Sequence, residues 1–239
     1  CGPIFARFFA TFVLTRQGAG MISGKVFRLI AAAFAVSISA APADAHPHVF
    51  AEARLDVVLG PDRRDVTALR HLWRFDEMFS STVVMQFDKN SDLKLDDDEL
   101  KEVADTIFAS LAEYNYFQLV TADGKDVKMN APSHIMTNFD NDQLIVLFES
   151  EPSAPISLSG TISLGVYDPT FYTAIDFTED ENMAGEGLPA SCARQVIRPD
   201  PDTAIAQNQD SLTDAFFNDP AGTDLNKIFA TKLELTCKP

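Results

Sequence analysis

Apolar and polar residues alternate strictly from Val49 to Leu59. Val49, Ala51, Ala53, Leu55, Val57 and Leu59 point one way, and His48, Phe50, Glu52, Arg54 and Asp56 the other. A period of two over this length predicts a half-buried strand. Gly60-Pro61-Asp62 reads as a turn, and a second strand is predicted from Asp65 to Arg74. The period then lengthens. Phe75, Phe79, Val83 and Phe87 recur at every fourth position, with Asp76 placed to suit a helix N-terminus. After an acidic stretch from Asp88 to Glu99, Leu100, Val103, Ala104, Ile107, Leu111 and Tyr114 form a second helical face.

Beyond Tyr116 the short period returns. Strands are predicted at Tyr116 to Thr121, Lys125 to Met129, Ile135 to Phe139, Gln143 to Phe148, Ile156 to Tyr167 and Phe171 to Phe177. Closing strands follow at Cys192 to Ile197 and Phe229 to Cys237, with a short helix between them at Ser211 to Phe217. Glu179 to Gly187 reads as an acidic loop. Many short strands with turns at this spacing predict a mainly β domain, β-sandwich-like, with one α insertion.

The N-terminal stretch follows other rules. Lys25 and Arg28 after Met21, an apolar run from Leu29 to Ala40, and Ala43-Asp44-Ala45 match a secretory signal with an A-x-A cleavage site. The apolar run is shorter than the roughly 20 residues of a membrane anchor. Residues 1–45 are therefore set apart as an upstream segment plus cleaved signal peptide. Residues 46–239 form one β-rich domain with a helix–loop–helix insertion at 75–115. The expected location is the periplasm.

Charge narrows the partners. The chain carries 19 Lys and Arg against 35 Asp and Glu, a net −16; residues 1–45 hold four of the former and one of the latter, so the remainder stands at −19. That balance argues against nucleic acid and against more than peripheral association with an anionic membrane, and it suits a protein that handles cations. Two cysteines lie beyond residue 45, Cys192 and Cys237. In an exported chain this pair reads as one structural disulfide.

Two clusters carry candidate chemistry. Cleavage after Ala45 makes His46 the first residue, with His48 following Pro47. Because Pro47 has no N–H, a square-planar chelate through backbone amides is blocked. The amine and ring of His46 with the ring of His48 remain as an N3 set suited to nickel, cobalt, zinc or copper. Glu52, His71 and His134 are the further candidate ligands. The second cluster is Asp88 to Glu99, which aligns with a twelve-residue EF-hand calcium loop. Side-chain oxygens fall at Asp88, Asn90, Asp92, Asp96 and Glu99, and Lys94 offers its backbone carbonyl. Leu93 stands at the sixth position, where such loops carry glycine, and an L residue pays about 1–2 kcal/mol for a left-handed backbone.

Taken together, His46-Pro47-His48-Val49-Phe50, Trp73-Arg74-Phe75-Asp76-Glu77-Met78-Phe79-Ser80, the loop Asp88 to Glu99, and Tyr167-Asp168-Pro169-Thr170-Phe171-Tyr172 make the chain resemble an uncharacterised family of exported bacterial proteins. These are described as periplasmic components of ABC-type transport systems and are encoded beside nickel, cobalt or zinc transport genes. The resemblance implies an accessory role for a membrane metal transporter or permease, with no reaction attached. Three functions follow as expectations. The chain captures or delivers a transition metal, or it is a calcium-stabilised module docking on a transporter. The third and weakest is a copper histidine-brace enzyme; no G-x-S-x-G or H-E-x-x-H pattern is present, so a non-enzymatic role is expected.

Overall fold

The computed structural model describes residues 48–209 and 226–238. The alternation at the start becomes strand β1 (Val49–Leu59), which runs antiparallel to β2 (Asp65–Phe75) with Leu55 opposite His71. Between them Arg63 N–H donates to the Gly60 carbonyl, and Gly60 N–H to the Asp65 carbonyl, each at 2.9 Å. The side chains of Val49, Ala51, Ala53, Leu55 and Val57 are buried, and Phe50, Glu52 and Arg54 on the other face are exposed, as period-two geometry requires.

The remaining elements build two sheets. In chain order they are β3 (Gln118–Ala122), β4 (Lys125–Asp126), β5 (Ile135–Asp140), β6 (Gln143–Ser150), β7 (Ile156–Ser157), β8 (Gly160–Val166), β9 (Thr173–Asp176), β10 (Met183–Ala184), β11 (Cys192–Ile197) and β12 (Lys232–Cys237). The first sheet has the order β10-β1-β2-β6-β5, with β7 on β2 and β9 on β1; β9 and β10 run parallel to β1. The second is β11-β12-β8-β3-β4, antiparallel throughout. Its first pair is bridged by the disulfide Cys192–Cys237, which joins residues directly opposite in register.

Among the described residues three α-helices accompany the sheets: α1 (Glu77–Phe87), α2 (Asp97–Leu111) and α3 (Pro201–Gln207). Each starts on an aspartate. Asp96 and Glu99 form a reciprocal capping box on α2. Asp200 caps α3 ahead of Pro201, which tolerates the first helical position because its missing N–H would be unpaired there anyway.

The core lies around Trp73, which is 1% exposed. Phe117 stacks on it at 5.9 Å, and Phe148 meets it edge-on at 5.1 Å. Phe117 is delivered by a 3-10 segment, Ala112–Phe117, whose last three residues (Asn115, Tyr116 and Phe117) all have positive φ. Each such residue costs about 1–2 kcal/mol. For Phe117 the cost is offset by burial, about 1.5–3 kcal/mol, and by ring stacking, about 0.5–1.5 kcal/mol.

This turn corrects the predicted strand at Tyr116, since the left-handed residues delay β3 to Gln118. Tyr114 likewise falls outside α2. Lys125 to Met129 shortens to two paired residues plus an isolated bridge from Met129 to Pro152. Ile156 to Tyr167 divides into β7 and β8, separated by Leu158 and Ser159, with Gly160 at φ +67. Phe171, at φ +59, is a turn residue rather than the start of a strand. Glu179 to Gly187 is not a plain loop: it holds a 3-10 turn (Asp180–Asn182) and β10, where Met183 is fully buried. The predicted helix at Ser211 to Phe217 lies outside the described residues. No helix among the described residues is long and apolar enough to cross a membrane.

Candidate functional site

Three stretches distant in sequence meet where β1 begins. The amides of His48 and Val49 both donate to the Tyr172 carbonyl, at 2.9 and 3.1 Å, and Val49 pairs with Thr173 as β9 runs alongside. From the other side, Asp76 clasps Phe50. Its Oδ2 accepts from Phe50 N–H at 2.9 Å, while its own N–H donates to the Phe50 carbonyl at 2.9 Å. Oδ1 of the same carboxylate accepts from Phe79 N–H at 2.9 Å and so caps α1. The turn that carries Tyr172 is organised by Asp168, only 5% exposed. Its Oδ1 accepts from the Thr170 amide and hydroxyl, both at 2.7 Å, and its Oδ2 from Thr173 N–H at 2.9 Å.

The surface of this region mixes aromatic and polar groups. The His48 ring is exposed and lies 5.0 Å from the Tyr172 ring. Burial raises the Tyr172 hydroxyl above the ordinary tyrosine range, so it stays protonated. Phe50 and Phe171 are 55% and 45% exposed, with Phe171 supported by Phe229 at 5.9 Å. Thr173 Oγ1 is buried there without a hydrogen-bond partner among the described residues.

The predicted transition-metal ligands do not gather at this place. His46 lies outside the described residues. Glu52 shares the face of His48 but sits four residues on, about 13 Å along the strand, where it pairs in register with Arg74 and Asp176. His71 is opposite Leu55, about 23 Å along β1 from His48. It is a core residue, 2% exposed, stacked on Phe148 at 4.3 Å with Nε2 3.3 Å from Ser150 Oγ. Desolvation lowers its pKa to about 3, which keeps the ring neutral at pH 7. His134 is exposed just before β5, its Nδ1 2.8 Å from Ser133 Oγ. In the sheet order β5 stands three strands from β1. Strand geometry therefore keeps Glu52, His71 and His134 apart from His48 among the described residues.

The acidic loop lies between α1 and α2, and its side chains serve its own backbone. Asp88 Oδ1 accepts from Ser91 N–H at 2.6 Å and Asp92 N–H at 3.2 Å, and Oδ2 from Leu93 N–H at 2.7 Å. Asn90 accepts from Asp92 N–H and Asp92 from Lys94 N–H. Asp96 caps α2. Glu99, 3% exposed, accepts from Lys89 N–H at 2.7 Å and Asp96 N–H at 2.9 Å. Leu93 takes φ +64 with its side chain 81% exposed, so the backbone makes the left-handed turn despite the missing glycine. Among the described residues no group of three or more His, Cys, Asp or Glu is placed to hold a metal ion, the loop included. Asp88, Asn90, Asp92, Asp96 and Glu99 thus each accept, through a side-chain oxygen, from backbone N–H groups of the loop and of the start of α2.

The sequence marks Asp76 as a helix-dipole residue and Asp168 only as part of the motif from Tyr167 to Tyr172. Their carboxylates hold the region together. An aspartate followed by Pro-Thr is a local signal for such side chain-to-backbone turns; nothing local marks the bond from Asp76 to Phe50.

Over residues 31–237 the chain matches the family described as "Protein of unknown function (DUF1007)". An uncharacterized protein of Haemophilus influenzae is 26% identical over 197 residues, which cover 81% of this chain and 92% of that protein. The chain belongs to the DUF1007 family.

Proposed function

We propose that this member of the family is a periplasmic accessory protein, captures or delivers a transition metal, and works beside a membrane transporter or permease. Nickel, cobalt, zinc and copper are the candidate cargoes, and His46 with His48 supplies the ligands. One observation supports this reading above others. The exposed ring of His48 stands at the start of β1, where the three stretches around His48, Asp76 and Tyr172 converge. Two residues earlier comes His46, which the cleavage signal would make the N-terminus. The disulfide fits an oxidising compartment. The loop from Asp88 to Glu99 is proposed as an EF-hand-like brace that takes calcium weakly and fixes the angle between α1 and α2.

The test is metal titration of periplasmically processed protein against the same protein carrying one extra N-terminal residue, with calcium saturating. One tight equivalent of nickel, cobalt, zinc or copper, lost on extension, supports the reading. Equal binding or none in both forms overturns it. A second reading, a docking module that binds no cargo metal, is favoured by the exposed Phe50 and Phe171 beside His48. Transport that survives replacement of both His46 and His48, but not of the two phenylalanines, would select it.

A further inference from the structure

The solvent face of the β1–β2 hairpin runs against the charge of the chain. In a sequence of net charge −16, Arg54, Arg63 and Arg70 line one cleft of about 450 Å³ together with Asp56, Glu186 and Pro61. Register explains two of them, because Asp56 and Arg70 are directly opposed and Arg54 is two residues before Asp56 on the same face. Both are neutralised. Arg54 Nε lies 3.1 Å from each Asp56 oxygen, and Arg70 Nε lies 2.6 Å from Glu149.

Arg63 differs. Among the described residues no carboxylate pairs with it. Its guanidinium lies against Gly187, where a Cβ would stand 3.2 Å from Cζ, and Gly187 itself has the left-handed φ of +72 that favours glycine. The Arg63 backbone is also left-handed, at φ +56, a conformation that glycine or asparagine adopts more cheaply. A turn that needs only its shape would not need arginine there. Glu186, the neighbour of Gly187, is likewise in no ion pair among the described residues. The cleft thus holds one cation outside any ion pair, Arg63, and one anion, Glu186, whose charge acts on Arg54 without a close contact.

We propose that this cleft binds a small carboxylate of low net charge that also carries an amino or hydroxyl donor. Arg63 presents its planar fork to the carboxylate, and Glu186 accepts the donor. With Arg54 paired to Asp56 and Arg70 to Glu149, Arg63 and Glu186 remain and their charges cancel. A zwitterion, or a monoanion with a neutral donor, disturbs that balance little, whereas a phosphate dianion adds two negative charges within a strongly negative protein. The apolar carbon of Pro61 and the hairpin forms the wall, and the volume suits a small metabolite. This site is separate from the metal reading and stands without it.

Calorimetric titration of the disulfide-intact protein with alanine, lactate, acetate and inorganic phosphate tests the site. Saturable binding of alanine or lactate is expected, ahead of acetate and phosphate. Arg63→Asn, which suits the left-handed backbone, weakens that binding by about tenfold or more with the melting temperature unchanged or raised. Arg63→Lys, keeping charge but not the fork, falls between, and provides the reading if Arg63→Asn does not fold. Glu186→Gln removes the preference for alanine and lactate over acetate. Absence of saturable carboxylate binding up to about 10 mM, equal affinity in the Arg63 variants, or preference for phosphate each overturns the proposal.

Discussion

Replacing Asp76 by alanine removes two charge-assisted contacts at once, and their worth can be set from the structure. The bond from Phe79 N–H to Oδ1 is the N-cap of α1, and losing such a cap costs about 0.5–2 kcal/mol. The bond from Phe50 N–H to Oδ2 ties the start of β1 to that helix, at 2.9 Å on the exposed side. Water can replace it in part, so its loss adds about 0.5–1.5 kcal/mol. The expected total for Asp76→Ala is about 1–3.5 kcal/mol. Asp76→Asn keeps one acceptor for the cap but loses both the bond from Phe50 N–H and the charge that suits the helix dipole, and costs about 1–2.5 kcal/mol. Urea unfolding followed by the fluorescence of Trp73, the single tryptophan, measures both. For a slope near 2 kcal/mol per molar urea, the alanine variant shifts its midpoint down by about 1 M with the slope unchanged. Hydrogen exchange should show the Phe50 and Phe79 amides losing protection first. A loss below about 0.5 kcal/mol for alanine, the range of an ordinary surface substitution, refutes the assignment of Asp76 as the clasp between β1 and α1.

His71 makes stability depend on pH. Its folded pKa of about 3 lies below the unfolded value near 6.5. Between those values the unfolded chain binds a proton that the folded one refuses. Stability therefore falls by about 1.4 kcal/mol per pH unit on acidification from about 6.5 towards 3, and is flat above that window for this group. Unfolding midpoints across pH 4–8 for wild type and His71→Phe, whose ring can keep the stack on Phe148, should lose that slope in the variant; an unchanged slope assigns it elsewhere. Replacing both Cys192 and Cys237 by serine opens a loop of 45 residues and should cost roughly 3–4 kcal/mol in chemical denaturation. A cost under about 1 kcal/mol would mean that the pairing of β11 with β12 already restricts the unfolded chain.

What the sequence determined by itself is local. Strict alternation set β1 and its buried face, because a strand's two faces are written in its period. Four-residue spacing and an aspartate cap set α1 and α2, and two cysteines in an otherwise cysteine-free domain set their own pairing. The tertiary structure decided everything that depends on which strands lie side by side. His71 reads as a possible ligand until β2 is flanked by β1 and β6, which surround it with Leu55 and Phe148 and strip it of water. Glu52 reads as a neighbour of His48 until the rise of the strand is counted. Met183 sits in an acidic stretch with no strand period, yet parallel pairing with Leu55 buries it completely. The left-handed run at Asn115, Tyr116 and Phe117 carries no glycine to announce it, and for Phe117 the cost is offset by burial and by the Trp73 ring it meets in the core. The meeting of the stretches around His48, Asp76 and Tyr172, like that of Arg54, Arg63 and Arg70, arises from register and turns. Those are fixed by contacts between residues far apart in the chain, which no local pattern encodes.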